Sequence, residues 1–169
     1  MAKSMKTLIT AAINAVTTNA LDLSSGVDPL NELVKIQLLS GTGAGQADRV
    51  FHDQRTINAS SNEDLDLAGS LTDPFGATLT FVELRAILIY AATGNTNNVR
   101  VTRPASNGVP LFLAAGDGID VPPGGLFQWA CPADGKVTVT AGTGDLINVA
   151  NSSSGTTVTY DVVIIGTSA

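Results

Sequence analysis

The stretch TLTFVELRAILIYAA, Thr78 to Ala92, has to lie in the middle of whatever this chain folds into. Its first half alternates, with Val82 and Leu84 directed one way and Glu83 and Arg85 the other. From Ala86 the alternation stops, and Ile87, Leu88, Ile89 and Tyr90 leave neither face polar, which suits a strand covered on both sides. A buried helix is the competing reading. β-Branched and aromatic residues throughout, with breaks at Pro74-Phe75-Gly76 and Gly94-Asn95, favour the strand. The C-terminal run Thr156 to Gly166 repeats the design: Thr157, Thr159 and Asp161 alternate with Val158, Tyr160 and Val162 before Val163-Ile164-Ile165 turns wholly apolar. Two such strands are natural neighbours at the centre of a sheet.

The remaining segments are short and heavily punctuated. Asp48 to Ile57, DRVFHDQRTI, alternates with polar side chains on both faces, the pattern of a strand near an edge or an interface. Phe51, His52, Asp53 and Arg55 on it are the candidate protein-interface residues. Strands are also expected at Glu32–Leu39, Asp64–Leu67, Val99–Thr102, Pro110–Ala114, Gly118–Val121, Gly125–Ala130, Val137–Ala141 and Leu146–Ala150, separated by Gly, Pro, Asp and Asn. About eleven strands at spacings of 8–12 residues, with almost no helical period, imply an all-β fold, an antiparallel β-sandwich of jelly-roll type.

Residues 7–23 admit two readings. Leu8, Ile9, Ala12, Ile13, Val16 and Ala20 fit a helical stripe, whereas Thr7, Thr10, Asn14, Thr17 and Thr18 favour an extended strand or arm, which is the reading adopted. Ser24 to Pro29 is expected as a turn, dividing an N-terminal arm or first strand, residues 1–24, from a single sandwich domain, residues 25–169.

Charge is scarce. Charged residues make up 14% of the 169 positions, against an average of about 25%, and Gly, Thr, Ser and Asn fill the polar ones. The net charge is −6, and Arg100 and Arg103 form the densest internal basic pair, so direct nucleic-acid binding is disfavoured. A single cysteine, Cys131, excludes an internal disulfide and a cysteine-built zinc site. Thr10 and Asn14 interrupt Leu8–Val16 too early for the apolar core of a signal peptide, and no run approaches the ~20 apolar residues of a membrane helix. The expectation is a chain made in a reducing cytoplasm.

No catalytic fingerprint stands out. Gly41-Thr42-Gly43-Ala44-Gly45 invites a phosphate loop, but it lacks the lysine signature and leads into a strand pattern. His52 and Asp53 are adjacent on a strand and point to opposite faces, so they do not form a base and its orienter. Asp117-Gly118-Ile119-Asp120 resembles half of a calcium loop without a closing acid. Asp64, Asp66, Asp117 and Asp120 remain open as paired carboxylates for glycoside hydrolysis. Phe127 and Trp129 share a strand face and fit either a core or a sugar-stacking platform.

Several segments together resemble the small head-decoration, or cement, proteins of tailed bacteriophages. They are GTGAGQADRVFHDQRTI at Gly41–Ile57, LDLAGSLTDPFGATLTFVELRAILI at Leu65–Ile89, GNTNNVRV at Gly94–Val101, PPGGLFQWACPADG at Pro122–Gly135 and AGTGDLINVANSSSGTTVTYDVVIIG at Ala141–Gly166. The resemblance covers most of the chain after residue 40 and rests on the order of the segments. It implies a non-enzymatic structural β-sandwich protein, often trimeric, that sits outside an icosahedral head and clamps neighbouring major capsid subunits. With the charge, hydropathy and motif readings above, the expectation is no cofactor and no small-molecule, nucleic-acid or membrane partner. Its expected place is the host cytoplasm during assembly and then the capsid surface of the virion. A carbohydrate-binding head-fibre or tail adhesin module is the alternative.

Overall fold

The computed structural model of the protein describes residues 4–169, so residues 1–3 of the expected arm lie outside the described part. The chain folds into a β-sandwich with a long two-stranded ribbon attached. In chain order the strands are β1 (Thr7–Ala20), β2 (Ser25–Ser40), β3 (Gln46–Ala47), β4 (Arg49–Ile57), β5 (Asn62–Asp66), β6 (Glu83–Ala91), β7 (Val99–Thr102), β8 (Gly118–Val121), β9 (Leu126–Ala130), β10 (Leu146–Asn151) and β11 (Val158–Thr167). One sandwich sheet has the order β5-β10-β7-β8 and the other β4-β11-β6-β9, each antiparallel throughout.

The two long runs are central neighbours, as their patterning predicts. β11 pairs with β6 from Tyr160↔Ala91 to Thr167↔Glu83, and β4 is an edge strand on its other side. Ile87, Ile89, Val162, Ile164 and Tyr160 face the second sheet, where Val99, Val101, Ile147 and Val149 meet them in the main core. On the outer face of β6 and β11 a second, smaller core forms from Ala86, Ile165, Leu38 and Ala47, with Ile9, Ile36 and Val50 packed against it. This is why β6 is apolar on both sides: one face lines the sandwich and the other receives the root of the ribbon.

Pairing slips by one residue between Ile165 and Gly166, where the strands come unusually close. A Cβ at Gly166 would stand 2.2 Å from the Glu83 carbonyl oxygen and 2.7 Å from the Phe81 ring. Only glycine permits that approach.

Three local expectations change. Ser25–Pro29 is not a turn but the start of β2, because the reversal occurs at Leu21–Ser24, where the Leu21 amide donates to the Ser24 carbonyl at 2.9 Å. β2 accordingly pairs with β1 and not with either sandwich sheet, so the extended element runs to Ser40. Pro110–Ala114 is a turn, since Arg103 Nη1 donates to the Phe112 and Leu113 carbonyls at 3.1 and 3.3 Å and takes the acceptors a strand neighbour would need. Val137–Ala141 contributes only bridges, among them Leu84 N to Val137 O and Val139 N to Val82 O, both beside β6 beyond the end of β9.

Candidate interaction surface

The ribbon dominates the surface. Fourteen consecutive pairs join β1 to β2, from Thr7↔Leu38 to Ala20↔Ser25. At ~3.4 Å per residue such a ribbon is about 45 Å long. The β-branched and cross-strand apolar pairs Ile9–Ile36, Ala11–Val34 and Thr18–Val27 favour this pairing over the helical stripe available to residues 7–23. Pro29 is tolerated because β2 has no other neighbour there; β3 pairs only with Leu39 and Ser40.

Every residue from Thr10 to Lys35 except Gly26 is exposed. Ten of the fourteen exposed large hydrophobic residues among those described lie in the ribbon and its tip, including Ile13 at 66%, Val16 at 65% and Leu23 at 100%. Isolated two-stranded ribbons are marginal in water, and so many exposed apolar residues on one ribbon make it a candidate interaction surface. Because directly paired residues share a face, one face carries Leu38, Ile9, Ile36, Ala11, Val34, Ile13, Ala15 and Leu30, with Thr7 and Glu32 as its polar members over that length. Its root is buried on the protein's own sheet and its outer half is bare.

Arg85 anchors the root. Expected on a polar face, it is instead 1% exposed. Nη1 donates to Ala133 O at 2.5 Å, Nη2 to Gly43 O at 3.3 Å and Thr42 O at 3.4 Å, and the guanidinium pairs with Glu83 at 2.7 Å and with Asp134. Its Nε has no hydrogen-bond partner among the described residues. The guanidinium thus ties the Gly41–Gly45 loop, where the ribbon leaves the body, to the 131–135 loop. That settles the glycine-rich segment as structural. Gly43 N donates to Gln46 Oε1 at 2.9 Å and Gly45 N to Pro132 O at 2.8 Å, so these amides face the protein and not an anion.

The four candidate interface residues do not share one surface. Phe51 is in the main core, and only His52 projects exposed from the outer sheet face, opposite Val163. Asp53 and Arg55 lie on the other side of β4. Arg55 pairs with Asp53 at 3.2 Å and reaches across the open edge to Glu63 on β5 at 2.7 Å. Glu63 also accepts from the Tyr160 hydroxyl at 3.1 Å. Burial, reinforced by the Glu63 carboxylate, holds the Tyr160 phenol far above its ordinary range, so it stays a neutral donor. The group is a clip between sheets.

The acidic residues divide between the two edges of one sheet. Asp64 and Asp66 sit on β5 and Asp120 on β8, opposite edges of one sheet. Three strand spacings of ~4.8 Å place them about 14 Å apart, beyond the ~6.5–9.5 Å of an inverting carboxylate pair. Asp117 accepts from Ala114 N at 2.8 Å, as a turn would have it. Asp120 binds Arg100 through both oxygens at 2.7 and 2.9 Å; this pairing lowers its carboxyl below the usual range and raises the guanidinium. Phe127 and Trp129 are half-buried against the main core, and the Phe127 ring stacks on Phe112 with centroids 5.9 Å apart. They pack as core and not as an open platform.

Neither the protein-family models, the curated proteins nor the solved structures compared with this chain contain a match.

Proposed function

We propose that this protein is a structural virion protein, trimeric, that binds the outside of a phage icosahedral head and stabilises contacts between major capsid subunits. The observation that carries the reading is the ribbon from β1 to β2, which with its tip holds ten large apolar side chains in solvent. A chain built this way is a component of an assembly. The sequence resemblance to cement proteins supports a phage head as that assembly. A charge-poor surface rich in Thr, Asn and Ser fits broad, polar, partly wet contacts with a preformed shell.

Weak single contacts become useful on such a shell. Capsid subunits repeat at fixed spacing, so an oligomer that engages one engages the next at high effective concentration and gains about 10²–10⁴ in avidity. A ligand selective for the assembled state stabilises that state by mass action. The test adds purified protein to undecorated heads and, separately, to unassembled capsid protein, following binding and the temperature of DNA release. Tight binding to heads alone, with later DNA release, is expected. Equal affinity for both forms, or no shift in release temperature, would refute the reading.

A further inference from the structure

We propose that the ribbon of one copy docks on the outer face of the β4-β11-β6-β9 sheet of a second copy, through Ala11, Ile13, Ala15, Leu30 and Val34. The inference deepens the trimer reading above and rests on it for the closed assembly, but its test needs no capsid.

The donor surface is the bare outer half of a face whose root already packs on this same sheet. Ile9, Ile36 and Leu38 cover Ala86 and Ile165 within the chain, and the next pairs outward, Ala11–Val34, Ile13–Glu32 and Ala15–Leu30, have nothing beneath them. The acceptor surface is the continuation of the sheet beyond that root. Register places Val163, Leu88 and Gln128 in one cross-strand row and Asp161, Tyr90 and Leu126 in the next, all on the outer face. Leu88, Tyr90 and Val163 are half-buried and Leu126 is 56% exposed.

Between ribbon and sheet runs a groove of about 310 Å³, floored by Leu88, Val163 and Leu126 and walled by Leu8 and Thr10 of β1. Among the described residues β1 is the free edge of its sheet, so an arriving strand meets an apolar floor and a row of backbone groups without a strand partner together.

Donor and acceptor are different surfaces, so the contact is head-to-tail and must close on itself to be finite. Area argues the same way. The ribbon face from Ala11 to Ala15 and the tip beyond it is ~10 Å wide and 20–30 Å long, a few hundred Å², short of the ~800 Å² per partner of a standard interface. When every copy gives one ribbon and receives one, burial per copy doubles and approaches that range.

The experiment compares wild type, the ribbon variant Ile13→Asp/Leu30→Asp and the floor variant Leu126→Asp by sedimentation equilibrium, with circular dichroism melts of each. All three positions are more than half exposed in the single chain, so the fold should survive. Wild type is expected to form a closed oligomer at micromolar concentration. Each variant should self-associate at least about 30-fold more weakly, and mixing the two at high concentration should yield one-to-one pairs, held more weakly than the wild-type ring because each pair forms a single contact between the intact ribbon of one variant and the intact floor of the other. A monomeric wild type, variants with wild-type mass, or a mixture that stays monomeric would each overturn the proposal. A monomeric wild type whose ribbon variant no longer binds heads would assign the ribbon to the shell, leaving the capsid reading standing. An oligomer of the expected behaviour that ignores heads would do the reverse.

Discussion

Arg85→Ala tests the claim that a buried cation holds the ribbon to the body. The side chain is 1% exposed and serves three carbonyls, Thr42, Gly43 and Ala133, together with the carboxylates of Glu83 and Asp134. Asp134, with its side chain 53% exposed, returns to water at little cost, whereas Glu83 at 14% and the carbonyls lose their partner while still largely buried. Deleting one member of a buried pair costs about 3–5 kcal/mol. For a chain of this size each kcal/mol is worth ~2–4 °C in melting temperature, giving a fall of about 6–20 °C. Urea unfolding should show the midpoint dropping at unchanged slope, and hydrogen exchange should show the Gly43 and Gly45 amides losing protection first. Arg85→Met, which keeps the apolar stem but strands the same acceptors, should recover only part of the loss. Stability of Arg85→Ala within about 1 kcal/mol of wild type, well under the cost of a broken buried pair, would refute the reasoning.

Gly166→Ala should destabilise by at least about 1–3 kcal/mol, because its Cβ would strike the Glu83 backbone and the Phe81 ring, neither of which can swing aside; chemical denaturation checks it. Asn151 Nδ2 donates to the carbonyls of Ile57, Asn58 and Thr156 at 3.4, 3.2 and 2.8 Å, so Asn151→Asp turns a donor into an acceptor among acceptors. A loss of about 2–4 kcal/mol at neutral pH is expected. The charge-dependent part should shrink as pH falls toward the ~4 of a free carboxyl and be gone below it, because an acid held among acceptors takes up its proton at a higher pH than the unfolded chain does. Asp120 titrates below its unfolded value, so its contribution is present above about pH 4 and lost as pH falls through the lower folded value. The pair is solvent-exposed, so Asp120→Asn should remove under about 1 kcal/mol, and less in high salt.

Local patterning determined much of the sandwich. Thr78–Ala92 and Thr156–Gly166 read as central strands because a strand buried on both faces needs apolar residues at both parities, and that demand is met by neighbours in sequence. Asp48–Ile57 read as an edge for the same kind of reason, and β4 is one. Other decisions belong to tertiary structure. Whether residues 7–23 coil or extend is settled by Ser25–Ser40 lying opposite, and a stripe of alternating Thr, Ala, Ile and Val leaves both options open without that partner. Arg85 alternates with Leu84 like any solvated charge, yet it is buried because its acceptors arrive from residues 42, 43, 133 and 134, more than 40 positions away. Phe51 and His52 adjoin in the chain but part to the core and the outer face. Periodicity states that two faces differ; which one meets another sheet, and which stays bare, follows only from the surfaces folding brings alongside.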